Sequence, residues 1–128
     1  MGQHASIVMN DREPISLEII YKYIDYYKGI TAKTGEQLGW EYSETAFPYE
    51  ICQEHERLLI LRSVQPGFNH IYIGIIQSED ESAEAVQIYL PASSAHGDKG
   101  KANELCKFLA KKMKGELHLF NGKVMRFT

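Results

Sequence analysis

The segment His96-Gly97-Asp98-Lys99-Gly100-Lys101 holds the residue types that come nearest to chemistry in this sequence. It leads into a lysine-rich helical pattern. Backbone N–H groups and the positive end of a helix attract an anion, and lysine adds charge. The segment departs twice from a nucleotide-binding phosphate loop. Ala95 stands where the first glycine belongs, and Ala102 follows Lys101 where Ser or Thr is required. What it admits is an anionic small molecule held by His96, Gly97, Lys99, Gly100 and Lys101. The plain alternative is a solvated, flexible approach to the helix.

Other chemistry has less to stand on. Cys52-Gln53-Glu54-His55 has the spacing of two zinc ligands, but a structural site needs four. No second pair lies near His70, His96, Cys106 or His118 in sequence, so neither a metal nor a cofactor is expected. Glu50, Glu54, His55, Glu56, His70 and His96 are acid–base candidates of the kind any such domain contains. Ser93 and Ser94 beside His96 lack the G-x-S-x-G context of a nucleophile elbow, and no triad can be read.

Two patterns suit binding better than catalysis. Tyr21, Tyr23, Tyr26 and Tyr27 crowd one predicted helix, and exposed tyrosine offers a large contact area at small entropic cost. Tyr27 belongs to the buried stripe, which leaves Tyr21, Tyr23 and Tyr26 as the candidate contact residues. Lys107, Lys111 and Lys114 are spaced i, i+4, i+7 on a second helix, with Lys112 beside them. Such a row is an ordinary solvated face, favoured late in a helix by the macrodipole, unless a partner covers it.

The elements that must position these groups follow from periodicity. His4–Met9 reads as a strand. Ser16 caps a helix whose stripe is Leu17, Ile20, Ile24 and Tyr27, with Ile15 and Ile20 as its staple and Gly29 as its C-cap. Thr31–Leu38 holds a further short helical turn. Trp40 and Tyr42 anchor the stretch that follows. Phe47, Tyr49 and Ile51 alternate after Pro48, and Glu54-His55-Glu56 is a polar break. Strands at 57–63, 70–77 and 85–90 complete a four-stranded antiparallel meander. Pro91 ends it. A helix from Asp98 or Lys99 to Lys114 buries Ala102, Leu105, Leu109 and Met113, and Gly115 caps it. Asn121-Gly122 between two short alternating segments predicts a hairpin with a type I′ turn.

The order is β-α-β-β-β-β-α-β-β, an α+β fold. Each helix has one apolar stripe, so a mostly antiparallel sheet packed by two main helices on one face is the economical solution. The β-α-β4-α part is compatible with a TATA-binding-protein-like topology, a comparison of fold that carries nothing about DNA.

Composition bounds the rest. The 128 residues suit a single domain spanning 1–128. Two cysteines, far apart in sequence, fit a reducing compartment, and the cytoplasm is the expected location. No apolar run approaches bilayer length, and no membrane partner is expected. Met1-Gly2-Gln3-His4-Ala5-Ser6 satisfies a myristoylation pattern, but the same residues read as the start of the first strand. Net charge is −3, divided unevenly: residues 95–128 carry eight basic and three acidic groups. With no recognised nucleic-acid motif in an acidic chain, no nucleic acid is expected.

Ile30-Thr31-Ala32-Lys33-Thr34-Gly35-Glu36-Gln37-Leu38, followed by Ala46-Phe47-Pro48-Tyr49-Glu50, resembles a small family from Bacillus-type bacteria known only as a domain of unknown function. The resemblance implies a bacterial, cytosolic, compact α+β protein and brings no catalytic residues. The sequence thus points to a non-catalytic binding or protein-interaction module, with itself or another protein as partner and a homodimer as one form. The alternative is a small enzyme or ligand carrier that takes an anionic small molecule near the 91–101 loop.

Overall fold

Strand alternation in residues 58–63, 70–77 and 84–90 turns Leu59, Leu61, Ile71, Ile73, Val86 and Ile88 toward one face of a seven-stranded antiparallel sheet. A computed structural model of the chain describes residues 2–9, 15–38, 49–64, 67–77 and 84–127. The strands are β1 (Gln3–Val8), β2 (Tyr49–His55), β3 (Leu58–Ser63), β4 (His70–Gln77), β5 (Glu84–Leu90), β6 (Glu116–His118) and β7 (Val124–Arg126). Helices α1 (Leu17–Leu38) and α2 (His96–Met113) interrupt them in the predicted order. Across the sheet the order is β2-β3-β4-β5-β1-β6-β7.

The meander is as read: β2 pairs with β3, β3 with β4 and β4 with β5. β1 then inserts between β5 and β6, with Ala5 opposite Ile88 and Ile7 opposite Val86. The core lies between the sheet and both helices. Ile7, Leu59, Leu61, Ile71, Ile73, Ile88 and Leu117 are buried from the sheet side, and Ile20, Ile24, Leu105 and Leu109 from the helices. Burying a side chain of this size contributes roughly 1.5–3 kcal/mol, which is why the apolar stripes dictate the layering.

Five local expectations are corrected. Gly29 does not end the first helix, which continues to Leu38 and absorbs the short turn expected at 31–38. A helix-interior glycine costs only about 1 kcal/mol, and the Ala-, Lys-, Glu-, Gln- and Leu-containing stretch beyond it propagates the helix. β2 runs through the supposed polar break to His55, with a register shift between Gln53 and His55, so the turn reduces to Glu56-Arg57. α2 begins at His96, two residues before the predicted start. Its left-handed cap is Lys114, at φ 55°, ψ 44°, with Gly115 beyond it.

The fifth concerns the last hairpin. Gly122 has φ 85°, but Asn121 has no positive φ, so the type I′ turn does not form. Gly122 N donates to Leu119 O at 3.0 Å, and Leu119 N to Lys123 O at 2.8 Å. This is the three-residue loop of a turn followed by a left-handed glycine. The roles expected of Trp40, Tyr42, Phe47 and Pro48 lie outside the described residues.

Candidate functional site

The 91–101 loop is organised around a carboxylate that the sequence reading passed over. Asp98 is fully buried. It stands at the third position of α2, where a carboxylate can accept from N–H groups that lack helical partners. Its Oδ2 accepts from Ala95 N at 2.8 Å and from Asn69 N at 2.8 Å. Its Oδ1 accepts from the Tyr49 hydroxyl and from Asn69 N at 3.1 Å. Asn69 also donates through Nδ2 to Ser93 O at 2.9 Å and Ser93 Oγ at 3.1 Å, which fixes the loop to the start of β4. Burial first, and the Asp98 carboxylate second, hold the Tyr49 hydroxyl far above the ordinary phenol range.

The predicted anion residues surround this node unevenly. Gly97 lies against the Phe68 ring, which in turn meets Tyr49 edge-on with centroids 6.0 Å apart. Lys99 and Gly100 are exposed. Lys101 is half-buried, with Nζ 3.4 Å from Glu104. The backbone of His96 opens the helix, and its side chain lies outside the description. Asp98 itself takes donors at this helix end, and the macrodipole favours its charge there. An x-x-x-Asp pattern before an apolar run was the available signal, obscured by placing the helix start at Asp98 instead of His96.

The tyrosines separate onto different sides of α1. Tyr21 is 42% exposed and lines an open groove of about 580 Å³ with Ser16, Leu17, Glu18, Gln53 and Glu56. Tyr23 packs against the core. Tyr26 is 56% exposed and stacks on Phe108 of α2, with centroids 6.3 Å apart and planes at 24°. Lys112 Nζ lies 5.1 Å from the Tyr26 centroid and 5.8 Å from that of Phe108, a cation–π arrangement. Tyr27 meets the Phe108 ring at 5.1 Å and donates its hydroxyl to Glu104 at 2.9 Å.

Ile19 and Ile30 were not singled out from sequence, yet they are 47% and 41% exposed. With Tyr23 and Tyr26 they fall at i, i+4, i+7, i+11, the spacing of one helix face. That face adjoins the side on which Tyr26 and Tyr27 meet α2. The apolar arc of α1 is therefore wider than the sheet alone covers.

The remaining candidates do not converge. Cys52 lies on the sheet face away from the helices, whereas Cys106 is buried under α2 with its thiol pushed up to about 12 by burial. His55 Nδ1 accepts from Arg57 N at 3.3 Å. Among the described residues no three His, Cys, Asp or Glu side chains are grouped to hold a metal ion. His70 Nδ1 is buried without a hydrogen-bond partner among the described residues, on the side of the sheet that carries Tyr72 and Tyr89. No described helix is long and apolar enough to cross a membrane.

Comparison with known proteins agrees with the family resemblance. A crystal structure of a protein of unknown function from Bacillus stearothermophilus is 39% identical to this chain, with a TM-score of 0.63 over 91% of each chain. No curated protein matches. The family model described as domain of unknown function DUF1885 matches residues 3–128. With the family model matching nearly the whole sequence and a bacterial structure sharing its α+β fold, the chain belongs to the DUF1885 family.

Proposed function

We propose that the protein is a non-catalytic binding or protein-interaction module of the bacterial cytoplasm. One observation carries this reading. Of the seven large hydrophobic side chains exposed among the described residues, four lie on α1, and three of these, Ile19, Tyr26 and Ile30, share one face of it, with Tyr21 on another. Exposed apolar side chains gathered on one element mark a contact surface, whereas scattered ones do not. The acid–base candidates lend catalysis no comparable support. Among the described residues, the groups with displaced protonation are Tyr49, Glu84, Cys106 and Glu116, and each is accounted for by burial or a structural partner.

The alternative, a carrier of an anionic small molecule at the 91–101 loop, rests on Lys99, Lys101 and the helix end. It has less support because the Asp98 carboxylate already receives Ala95 N and Asn69 N. An incoming anion would meet a like charge there.

Native mass spectrometry of protein purified gently from its own host tests the choice. A complex with another chain, or a dimer, that Ile19→Ser with Tyr26→Ser dissolves is the expected result. A monomer carrying a stoichiometric small-molecule mass, unchanged by those substitutions, would replace this reading with the carrier.

A further inference from the structure

Both helices pack on the sheet face that bears Ile73 and Ile88, and the opposite face carries no described helix. Strand register runs one row straight across that face. Cys52 is opposite Ile60, Ile60 opposite Tyr72, Tyr72 opposite Tyr89, and Tyr89 opposite His4. The Tyr72 ring lies 6.1 Å from the Tyr89 ring and meets the His70 ring edge-on at 6.4 Å, and Gly2 lies against the Tyr89 hydroxyl. Tyr89 is nonetheless 40% exposed, a ridge held in place by its neighbours.

Beside the ridge is a hollow. Gly74 faces the same way, between Tyr72 and Ile76 on its own strand and between Leu58 and Gln87 on the adjoining ones. Its φ is not positive and the register through it is regular, so the backbone does not require glycine there. A Cβ would meet its nearest atom, Arg57 O, at 3.4 Å, so packing within the chain does not require glycine either. Glycine weakens a strand interior, and where no bulge calls for it, it marks close approach by another backbone or a ligand.

The charges on this face cancel locally. Glu54 pairs with Arg62 at 3.2 Å on the β2–β3 flank, and Glu116 with Arg126 at 2.9 Å on the β6–β7 flank. No strand contains a lysine; the lysines lie on the helices, at the α2 cap and in the last hairpin loop. Tyrosine and arginine present with lysine depleted is the composition of a protein contact surface.

We propose that this open sheet face packs against the same face of a second copy of the chain, about a two-fold axis. The five longer strands, spaced about 4.8 Å apart and running about 20 Å, give with β6 and β7 a footprint of roughly 600 Å² before side-chain relief is counted. A standard stable interface buries about 800 Å² on each partner, so the face is of the right size. A two-fold axis exchanges ridge and hollow, letting the Tyr89 ring of each copy enter at Gly74 of the other. Its paired flanks do not repel their own copy. Nucleic acid or an anionic membrane would find no lysine here and would meet Glu50, Glu54 and Glu116. The inference uses a different surface from the α1 face of the interaction reading, so either can fail without the other.

Sedimentation velocity of the full chain between about 1 and 100 µM is the test, and a dimer with a dissociation constant below about 10 µM is expected. Tyr89→Lys puts a charge on the ridge and is expected to weaken the dimer at least about thirtyfold, the loss a hot-spot residue carries. Gly74→Val fills the hollow while favouring the strand by propensity, and it is expected to abolish the dimer. Circular dichroism verifies that both variants are folded; Tyr89 is already exposed, so its variant keeps the test alive should Gly74→Val misfold. Ile19→Ser with Tyr26→Ser should leave the dimer intact. Cys52, half-buried on this face, should be protected from alkylation in the dimer, and the protection should be lost on dilution.

A wild-type chain that stays monomeric at about 100 µM overturns the inference and leaves the α1 reading to native mass spectrometry. A dimer that survives both Tyr89→Lys and Gly74→Val overturns it as well, whether or not the α1 substitutions dissolve that dimer. A monomer that instead holds a different protein, released by Tyr89→Lys, overturns the second copy as the occupant of this face.

Discussion

The Tyr49 hydroxyl donates to the Asp98 carboxylate across 49 positions of sequence, tying the first residue of β2 to the first turn of α2. Both side chains are buried, so the contact is exchanged for no water when it is lost. Tyr49→Phe keeps the ring against Phe68 and removes only the donor. It is expected to destabilise the fold by about 1–3 kcal/mol, the cost of leaving a buried acceptor short of a partner. Asp98→Ala strands Asn69 N and Ala95 N as well and is expected to cost more. Urea unfolding of the two variants checks the order, and a Tyr49→Phe midpoint equal to wild type would show the hydrogen bond to be idle.

Alkaline pH is expected to erode stability through two buried groups. Burial raises the Tyr49 hydroxyl, and it pushes the Cys106 thiol from about 9 up to about 12. A group whose folded value is raised binds its proton more tightly in the native state. Its contribution is complete below the unfolded value and is lost as pH climbs toward the folded one. Stability should be level up to about pH 9, the unfolded thiol value, and then fall. Denaturant midpoints between neutral pH and the alkaline limit measure the slope. Cys106→Ala should flatten it even though it lowers the neutral-pH value.

Arg57 and Glu84 predict the opposite edge of the pH range. The Arg57 guanidinium is paired with Glu84 and donates through Nε to Ile75 O at 3.2 Å, while Glu84 Oε1 accepts from Ile15 N at 3.1 Å. The Arg57 hydrogen bond, foremost, holds the Glu84 carboxyl below its ordinary value. A depressed carboxyl contributes stability above its unfolded value, and that contribution is lost as pH falls through the folded one. Glu84→Gln is expected to reduce the acid sensitivity of the urea midpoint. An unchanged acid profile would assign that sensitivity elsewhere.

Gly115 and Lys114 make a paired test of how α2 meets β1. A Cβ on Gly115 would stand 2.8 Å from Ile7 Cγ2 and 3.1 Å from Val8 O. Since Val8 O is backbone, relief requires β1 or β6 to move, and Gly115→Ala is expected to destabilise by about 1–3 kcal/mol, as overpacking does. Lys114 carries the left-handed φ of 55° that costs an L residue about 1 kcal/mol. Lys114→Gly is expected to be neutral or stabilising by a fraction of that. Thermal unfolding should lower the midpoint of Gly115→Ala and leave that of Lys114→Gly equal or higher, and a stabilised Gly115→Ala would refute the close approach.

Much of the architecture was legible because it rests on period and on covalent preference. The alternation of Ile71, Ile73 and Ile75, and of Val86, Ile88 and Leu90, places each set on one sheet face whatever the neighbours are. The stripes of Leu17, Ile20 and Ile24 and of Ala102, Leu105 and Leu109 similarly require a covering layer. The errors cluster where local preference is worth about 1 kcal/mol. Gly29 is a permitted C-cap that the helix passes through, and Asn121-Gly122 is a permitted type I′ turn that the hairpin does not use.

The sequence by itself determined the element order, the meander, the burial of the two main stripes and the family. Only the tertiary structure decided what each polar or aromatic residue is next to. Asp98 looked like part of a phosphate loop until folding set Asn69 N and the Tyr49 hydroxyl against it. Tyr21, Tyr23 and Tyr26 looked like one cluster until the helix turned them to different sides. Phe108, from distant sequence, then became the neighbour of Tyr26. The physical reason is range. Periodicity is a property of adjacent residues, whereas a hydrogen bond to a buried carboxylate or a stacked ring pair joins atoms that chain order leaves far apart.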